Sequence, residues 1–247
     1  MADRVKYLKR PKLKRPVLVA GLPGIANIGK LAAEYLINKL AAQKFIELYS
    51  EHFPEWVIQE EGMVKPLKVD FLYCRPSGLK HDLILVTADA QAATPMGQYA
   101  LTGEILDIAK QHGVTTVGTM AAYVVSPGEP RVAPVIGAAS DPSTAKTLKS
   151  VGVSLLESGT IVGMNGMLPG LAAELGMRGF CLLGTTEGGL LDAGAAAAIL
   201  KALFSLLDFK LDLKDLEKDA EKIEKLKLSL PPVRLPESAE EEISYIR

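Results

Sequence analysis

The chain has 247 residues, 48% of them hydrophobic and 23% charged, with a net charge of −1. That composition supports a sizeable buried core and excludes a disordered chain, and the near-zero charge excludes a global field that would draw the protein to nucleic acid or to a membrane surface. No run reaches the roughly 18 uncharged apolar residues of a spanning helix, and the basic N-terminus has no apolar stretch behind it to serve as a secretion signal.

Residues 1–15 carry seven Lys or Arg and end at Pro16. Aromatic residues for base stacking are nearly absent, so this segment reads as a solvated tail or an edge segment. From 17 to 207 the chain alternates between two periods. Apolar or β-rich runs predict strands over 17–21, 45–50, 55–60, 67–74, 83–88, 114–120, 132–138, 160–164 and 179–184. Helical spacing predicts helices over 27–42, 96–111, 142–150, 166–176 and 193–207. The first of these places Ile28, Leu31, Ala32, Tyr35 and Leu36 on one face. Leu83-Ile-Leu-Val86 is apolar at every position, as a strand covered on both faces should be. Within 45–74, Trp56-Val-Ile-Gln and the run from Leu67 to Tyr73 flank a turn-rich stretch and predict antiparallel strands at one edge of the sheet. Asp141-Pro142-Ser143 is a helix cap with proline in the first turn. The element order predicts a three-layer α/β sandwich around a mixed, mostly parallel sheet, in a domain spanning 16–207.

Beyond 207 the composition changes. Residues 208–230 are charged and place Leu213, Leu216, Ala220, Ile223 and Leu226 at helical spacing, a narrow apolar stripe that would dock on the body or on a second subunit. Pro231-Pro232 ends that helix, and 231–247 is an acidic, proline-containing tail that closes on Tyr245-Ile246-Arg247.

Three features bear on chemistry. Gly24-Ile-Ala-Asn-Ile-Gly29-Lys30 meets most of the phosphate-loop pattern, but Leu31 stands where a hydroxyl should hold magnesium, and Pro23 stiffens the loop. Asp89 lies three residues past the apolar run it would need to follow directly. The loop therefore reads as a structural turn, with anion capture by its amides at a helix N-terminus as the alternative. Ile161-Val-Gly-Met-Asn-Gly166 and Leu182-Leu-Gly-Thr-Thr-Glu-Gly-Gly189 also follow apolar runs. In an open α/β sheet such strand ends line a crevice, which makes Gly21, Gly24, Asn27, Asn165 and Gly166 candidate crevice residues. No catalytic constellation emerges. His52, His81 and His112 are scattered without metal-ligand spacing, no serine sits in a nucleophile elbow, and Cys74 and Cys181 each lie inside an apolar run as core residues. Neither a cofactor nor a metal is expected.

In order, Val19-Ala-Gly-Leu-Pro-Gly-Ile-Ala-Asn-Ile-Gly29, Asp82-Leu-Ile-Leu-Val-Thr-Ala-Asp-Ala-Gln91, Thr94-Pro-Met-Gly-Gln-Tyr99, Val117-Gly-Thr-Met-Ala-Ala-Tyr123, Val135-Ile-Gly-Ala-Ala-Ser-Asp141 and Ile161-Val-Gly-Met-Asn-Gly-Met-Leu-Pro-Gly-Leu-Ala172, continuing to Cys181-Leu-Leu-Gly-Thr-Thr186, resemble the proteasome assembly chaperone 2 family, most closely its archaeal members. The resemblance covers roughly 16–207. With two cysteines in apolar runs and no secretion signal, the cytoplasm is the expected compartment. The resemblance implies a fold similar to nucleoside phosphorylases and a non-enzymatic homo-oligomer. Such a protein engages the proteasome α-ring as an assembly chaperone or an ATP-independent activator, with no nucleic-acid or membrane partner. It also implies that the C-terminal tail, here Tyr245, Ile246 and Arg247, anchors in pockets between α-subunits. The family's usual tail signal is a hydrophobic residue, then Tyr, then any terminal residue. Here Tyr245 is third from the end and follows Ser244. The alternative is a nucleoside phosphorylase-like or nucleotide-dependent enzyme using the loop 21–30. A third reading is a scaffold that only oligomerises through the stripe from Leu213 to Leu226.

Overall fold

In the computed structural model, which describes residues 4–126 and 133–218, the elements follow in chain order. They are β1 (Arg4–Tyr7), β2 (Val17–Ala20), a 3-10 turn (Ile25–Asn27), α1 (Ile28–Lys39), β3 (Gln43–Tyr49), β4 (Ile58–Glu60), β5 (Met63–Lys65), β6 (Val69–Cys74), β7 (Leu83–Ala88) and α2 (Pro95–Gln111). There follow β8 (Thr116–Val124), β9 (Val135–Ala139), α3 (Pro142–Ser150), β10 (Ser154–Leu155), α4 (Met164–Glu174), β11 (Arg178–Thr186) and α5 (Ala193–Leu207).

Nine of these strands form one mixed sheet in the order β1-β3-β6-β7-β2-β8-β11-β9-β10. The centre, β7-β2-β8-β11, is parallel. β1, β3 and β6 continue it antiparallel on one side, and β9 pairs antiparallel with β11 on the other. All of β2 is buried, and its alternation explains the layering. Val17 and Val19 enter one core with Ile28, Ala32 and Leu36 of α1, Leu148 of α3, and Ile199, Leu200 and Leu203 of α5. Leu18 and Ala20 enter the other with Leu101, Ile105 and Leu106 of α2 and Leu168 and Ala172 of α4. The result is the three-layer α/β sandwich expected from the element order, because every central strand must cover both faces. The helix starts follow local chemistry. Thr94 caps α2 through the Gly97 N–H (3.1 Å), Asp141 caps α3 through the Thr144 N–H (2.9 Å), and Asp192 caps α5 through the Ala195 N–H (2.9 Å).

Two of the expected strands turn out differently. The strand expected over 160–164 is a loop, and α4 already starts at Met164. Gly163 takes a φ of +87°, and the Met164 N–H bonds the Gln91 side chain (2.7 Å) rather than a neighbouring strand. The expected partnership of 55–60 with 67–74 also fails. β4 pairs only with β5, across a tight turn whose residues Glu61 and Gly62 both have positive φ. β6 lies between β3 and β7 instead, since Phe71 and Leu72 face opposite cores. The basic N-terminus contributes an edge strand, β1, antiparallel to β3.

After α5 the chain crosses back over α1. Leu213 and Leu216 are buried in the first core, the Tyr35 hydroxyl donates to the Asp212 carbonyl (2.8 Å), and Lys201 pairs with Glu217 (2.7 Å). The apolar stripe thus begins by docking on the body. Ala220, Ile223, Leu226 and the tail 231–247 lie outside the described residues.

The antiparallel edge is tied by charge. Glu47 on β3 is nearly buried and pairs with Lys6 of β1 (3.1 Å) and with Lys68, while its neighbour Asp70 on β6 pairs with Lys44 (2.6 Å) and Lys68 (3.2 Å). The hydrogen bond from Lys68, reinforced by Lys6 and Tyr49 and opposed by burial, holds the Glu47 carboxyl down at about 2. A depressed carboxyl stabilises the fold above its unfolded pKa, and that contribution is lost as pH falls toward the folded one. We expect Glu47→Gln to lower stability at pH 7 by about 1–2 kcal/mol, less than the full shift converts to because solvent screens the lysines. Denaturant titrations at several pH values check this. The gap between the two proteins should close between about pH 4.5 and 2.

Candidate functional site

Parallel strands end on one edge, so the segments after β2, β7, β8 and β11, and the turn leading into α4, gather there. All the crevice candidates lie in or beside this cluster. Asn165, in the first turn of α4, is 4% exposed. Its Oδ1 accepts the Leu22 N–H (3.1 Å), its Nδ2 donates to the Leu22 carbonyl (3.2 Å), and its own carbonyl accepts the Thr119 hydroxyl (2.6 Å). Gln91, after β7, donates from Nε2 to the Pro23 carbonyl (2.6 Å) and accepts the Met164 N–H at Oε1. Thr87 donates to the Gly21 carbonyl (3.2 Å), and the Asp192 N–H reaches the Ala26 carbonyl (3.2 Å). The glycine-rich loop is thereby stitched to three neighbouring segments.

The glycines divide into two kinds. A Cβ on Gly21 would lie 2.0 Å from the Gly29 carbonyl oxygen, and one on Gly29 would lie 2.1 Å from that of Met120. One on Gly166 would lie 2.5 Å from the Ile161 carbonyl oxygen. These three let backbone meet backbone. Gly24 does not: its φ is −176°, and an added Cβ would find only ordinary contacts, 3.8 Å to Gln91 and 3.9 Å to Asn165. Asn27 takes a left-handed φ of +47° and makes no side-chain cap for α1.

The lysine of the near-miss phosphate loop is engaged inside the fold. Lys30 Nζ donates to the Ala88 carbonyl (3.1 Å) and stands 3.7 Å from Glu34. Asp89 accepts the Lys68 N–H (3.0 Å). Among the described residues, no cluster of three or more His, Cys, Asp or Glu has the geometry of a metal site. His112 bonds the Ile108 carbonyl through Nδ1 (2.9 Å) and packs edge-on against Phe45. Both cysteines are buried, and burial pushes the Cys74 thiol up to about 12 and the Cys181 thiol up to about 11. They remain protonated, unreactive core residues. Gln91, Thr119 and Asp192 are the polar residues of this cluster that the sequence reading passed over. A polar residue just beyond an apolar run, at a strand's carboxyl end, is the signal that would have found Gln91, and a carboxylate directly before an alanine-rich helix is the one that would have found Asp192.

Around the stitched loops stand exposed apolar side chains. Ile25 follows β2, Met96 (78% exposed) and Tyr99 open α2, Val124 ends β8, Val162 precedes α4, and Leu190 (89% exposed) follows β11. Scattered single exposures are ordinary, but several on one edge mark an interaction surface.

The comparisons with known proteins agree on one lineage. The sequence model of the PAC2 family matches residues 18–229. An uncharacterised protein of Methanocaldococcus jannaschii is 33% identical over 244 residues, covering 95% of this chain and 93% of that protein. Among solved structures, Pyrococcus furiosus PbaB, described as an archaeal proteasome activator, superposes with a TM-score of 0.84 at 34% identity, covering 91% of this chain and 97% of that one. Pyrococcus furiosus PbaA, described as an archaeal homologue of proteasome-assembly chaperone, gives a TM-score of 0.75 at 27% identity, covering 90% of this chain and 89% of that one. By sequence and by fold, the chain belongs to the PAC2 family.

Proposed function

We propose that this protein is a cytoplasmic, non-enzymatic proteasome assembly chaperone or ATP-independent activator. It works as a homo-oligomer and binds the α-ring of the core particle through its C-terminal tail. One observation carries the non-catalytic half of the reading. The polar groups that would do chemistry at the carboxyl edge, Lys30, Asp89, Gln91 and Asn165, are engaged on backbone groups of neighbouring segments. The exposed apolar residues on that same edge offer a surface for self-association. The likeness to PbaB, at 34% identity over nearly its whole length, supplies the partner class. The tail supplies the anchor: an aromatic residue, an aliphatic residue and a terminal carboxylate suit a pocket with a basic rim.

The test is capture of purified proteasome α-rings on the immobilised full chain, alongside a variant lacking residues 243–247. The expected result is binding by the full chain and at least a tenfold loss in the variant, about 1.4 kcal/mol. Equal binding by both would refute the tail mechanism. No binding by the full chain would refute the function.

A further inference from the structure

The opposite edge of the sheet holds a cleft of about 280 Å³. It is built where three parallel strands begin side by side: Val17 of β2 faces Thr116 of β8, and Thr116 faces Arg178 of β11. Phe180, Leu206 and Leu207 give it an apolar lining, and Phe180 is locked in place because its ring lies over Gly118, where an added Cβ would stand 2.2 Å from it. Two cations, Lys80 and Arg178, stand in its wall. Among the described residues neither forms an ion pair. Among the described residues, the Arg178 guanidinium donates to the Thr116 hydroxyl, at 3.3 Å, and to no other side chain. Asp141 acts on Arg178 from a distance and has both oxygens occupied by Thr144.

From this we infer a second binding site, outside the carboxyl-edge loops, for a small amphipathic monocarboxylate. The guanidinium of Arg178 offers a fork that fits a carboxylate, and Lys80 adds a second positive charge. The phenyl ring and the two leucines take an apolar body. The volume lies near the small end of the roughly 300–1,000 Å³ typical of ligand sites, which excludes a dinucleotide. Asp208, also in the wall, disfavours a second negative charge on the ligand. His81 is held by Nδ1 against the Arg15 carbonyl (3.1 Å) and helps fix the rim.

The site stands independently of proteasome binding, and its test reads a different partner. Octanoate, with octanol as the uncharged control, is titrated calorimetrically into the full-length chain and into Arg178→Gln and Lys80→Gln. Both side chains are exposed, so both variants should fold, which circular dichroism checks. The expected result is saturable octanoate binding, at least tenfold weaker octanol binding, and at least a tenfold loss of octanoate affinity in Arg178→Gln. Equal affinity for octanoate and octanol, unchanged affinity in folded Arg178→Gln, or no octanoate binding at millimolar concentration would each overturn the site. If Lys80→Gln alone weakens binding, Arg178 is not the carboxylate's partner and the assignment fails.

Discussion

Asn165→Leu is expected to lower stability by about 2–6 kcal/mol, because the substitution orphans both the N–H and the carbonyl of buried Leu22, at roughly 1–3 kcal/mol each. The side chain is the one bridge that satisfies both groups of a residue in the glycine-rich loop from the start of α4. Leucine keeps the branched shape of asparagine and has no polar atom, so the substitution removes the hydrogen bonds without opening a cavity. Asn165→Asp provides the graded comparison. It keeps an acceptor for the Leu22 N–H but turns a carboxylate oxygen toward the Leu22 carbonyl, so it should also destabilise. Chemical denaturation with an unchanged slope is the measurement. A loss below about 1 kcal/mol for Asn165→Leu would mean that the loop holds without this bridge.

Gly29→Ala is expected to cost about 3 kcal/mol or more and to leave little folded protein at physiological temperature. Its Cβ would meet the Met120 carbonyl oxygen at 2.1 Å, and that atom belongs to the backbone of a central strand. Relief requires moving α1 off β8, which opens the core shared by Ile28, Ala32 and Met120. Gly24→Ala, only five residues earlier, is the internal control and should change stability by less than about 1 kcal/mol, since its Cβ has room. The contrast separates close backbone approach from general loop glycine content, and thermal unfolding of the two variants reads it. Equal behaviour of both would remove the packing argument for the first turn of α1.

These two sites differ in how visible they are before folding. Gly29 sits in a conspicuous sequence pattern, but the pattern suggests a phosphate cradle. Only the neighbouring strand explains why glycine is needed. Asn165 stands out as a polar residue amid apolar and glycine neighbours, yet its partner Leu22 is 143 residues away. The Asp141 cap was legible because it acts locally. Asp141 sits immediately before Pro142 and bonds an amide three residues on, so sequence neighbours are also spatial neighbours. The hairpin β4–β5 and the edge strand β1 were not legible as such. Short, solvent-exposed strands lack the alternating apolar residues that announce a buried one, and pairing is settled by which edge is open.

What the sequence determined alone is the set of covered strands and amphipathic helices, and hence the sandwich. Residues such as Leu83–Val86 have no polar face to expose, and water imposes that constraint on any arrangement. What only the tertiary structure decided is the meaning of the glycine-rich loops. Whether an amide, a lysine or an asparagine is free to meet a ligand depends on what lies within about 3 Å of it, and that is set by strand order rather than by chain order. Here the order brings β7, β8 and α4 against the loop, so that Lys30, Gln91 and Asn165 bond backbone groups of neighbouring segments.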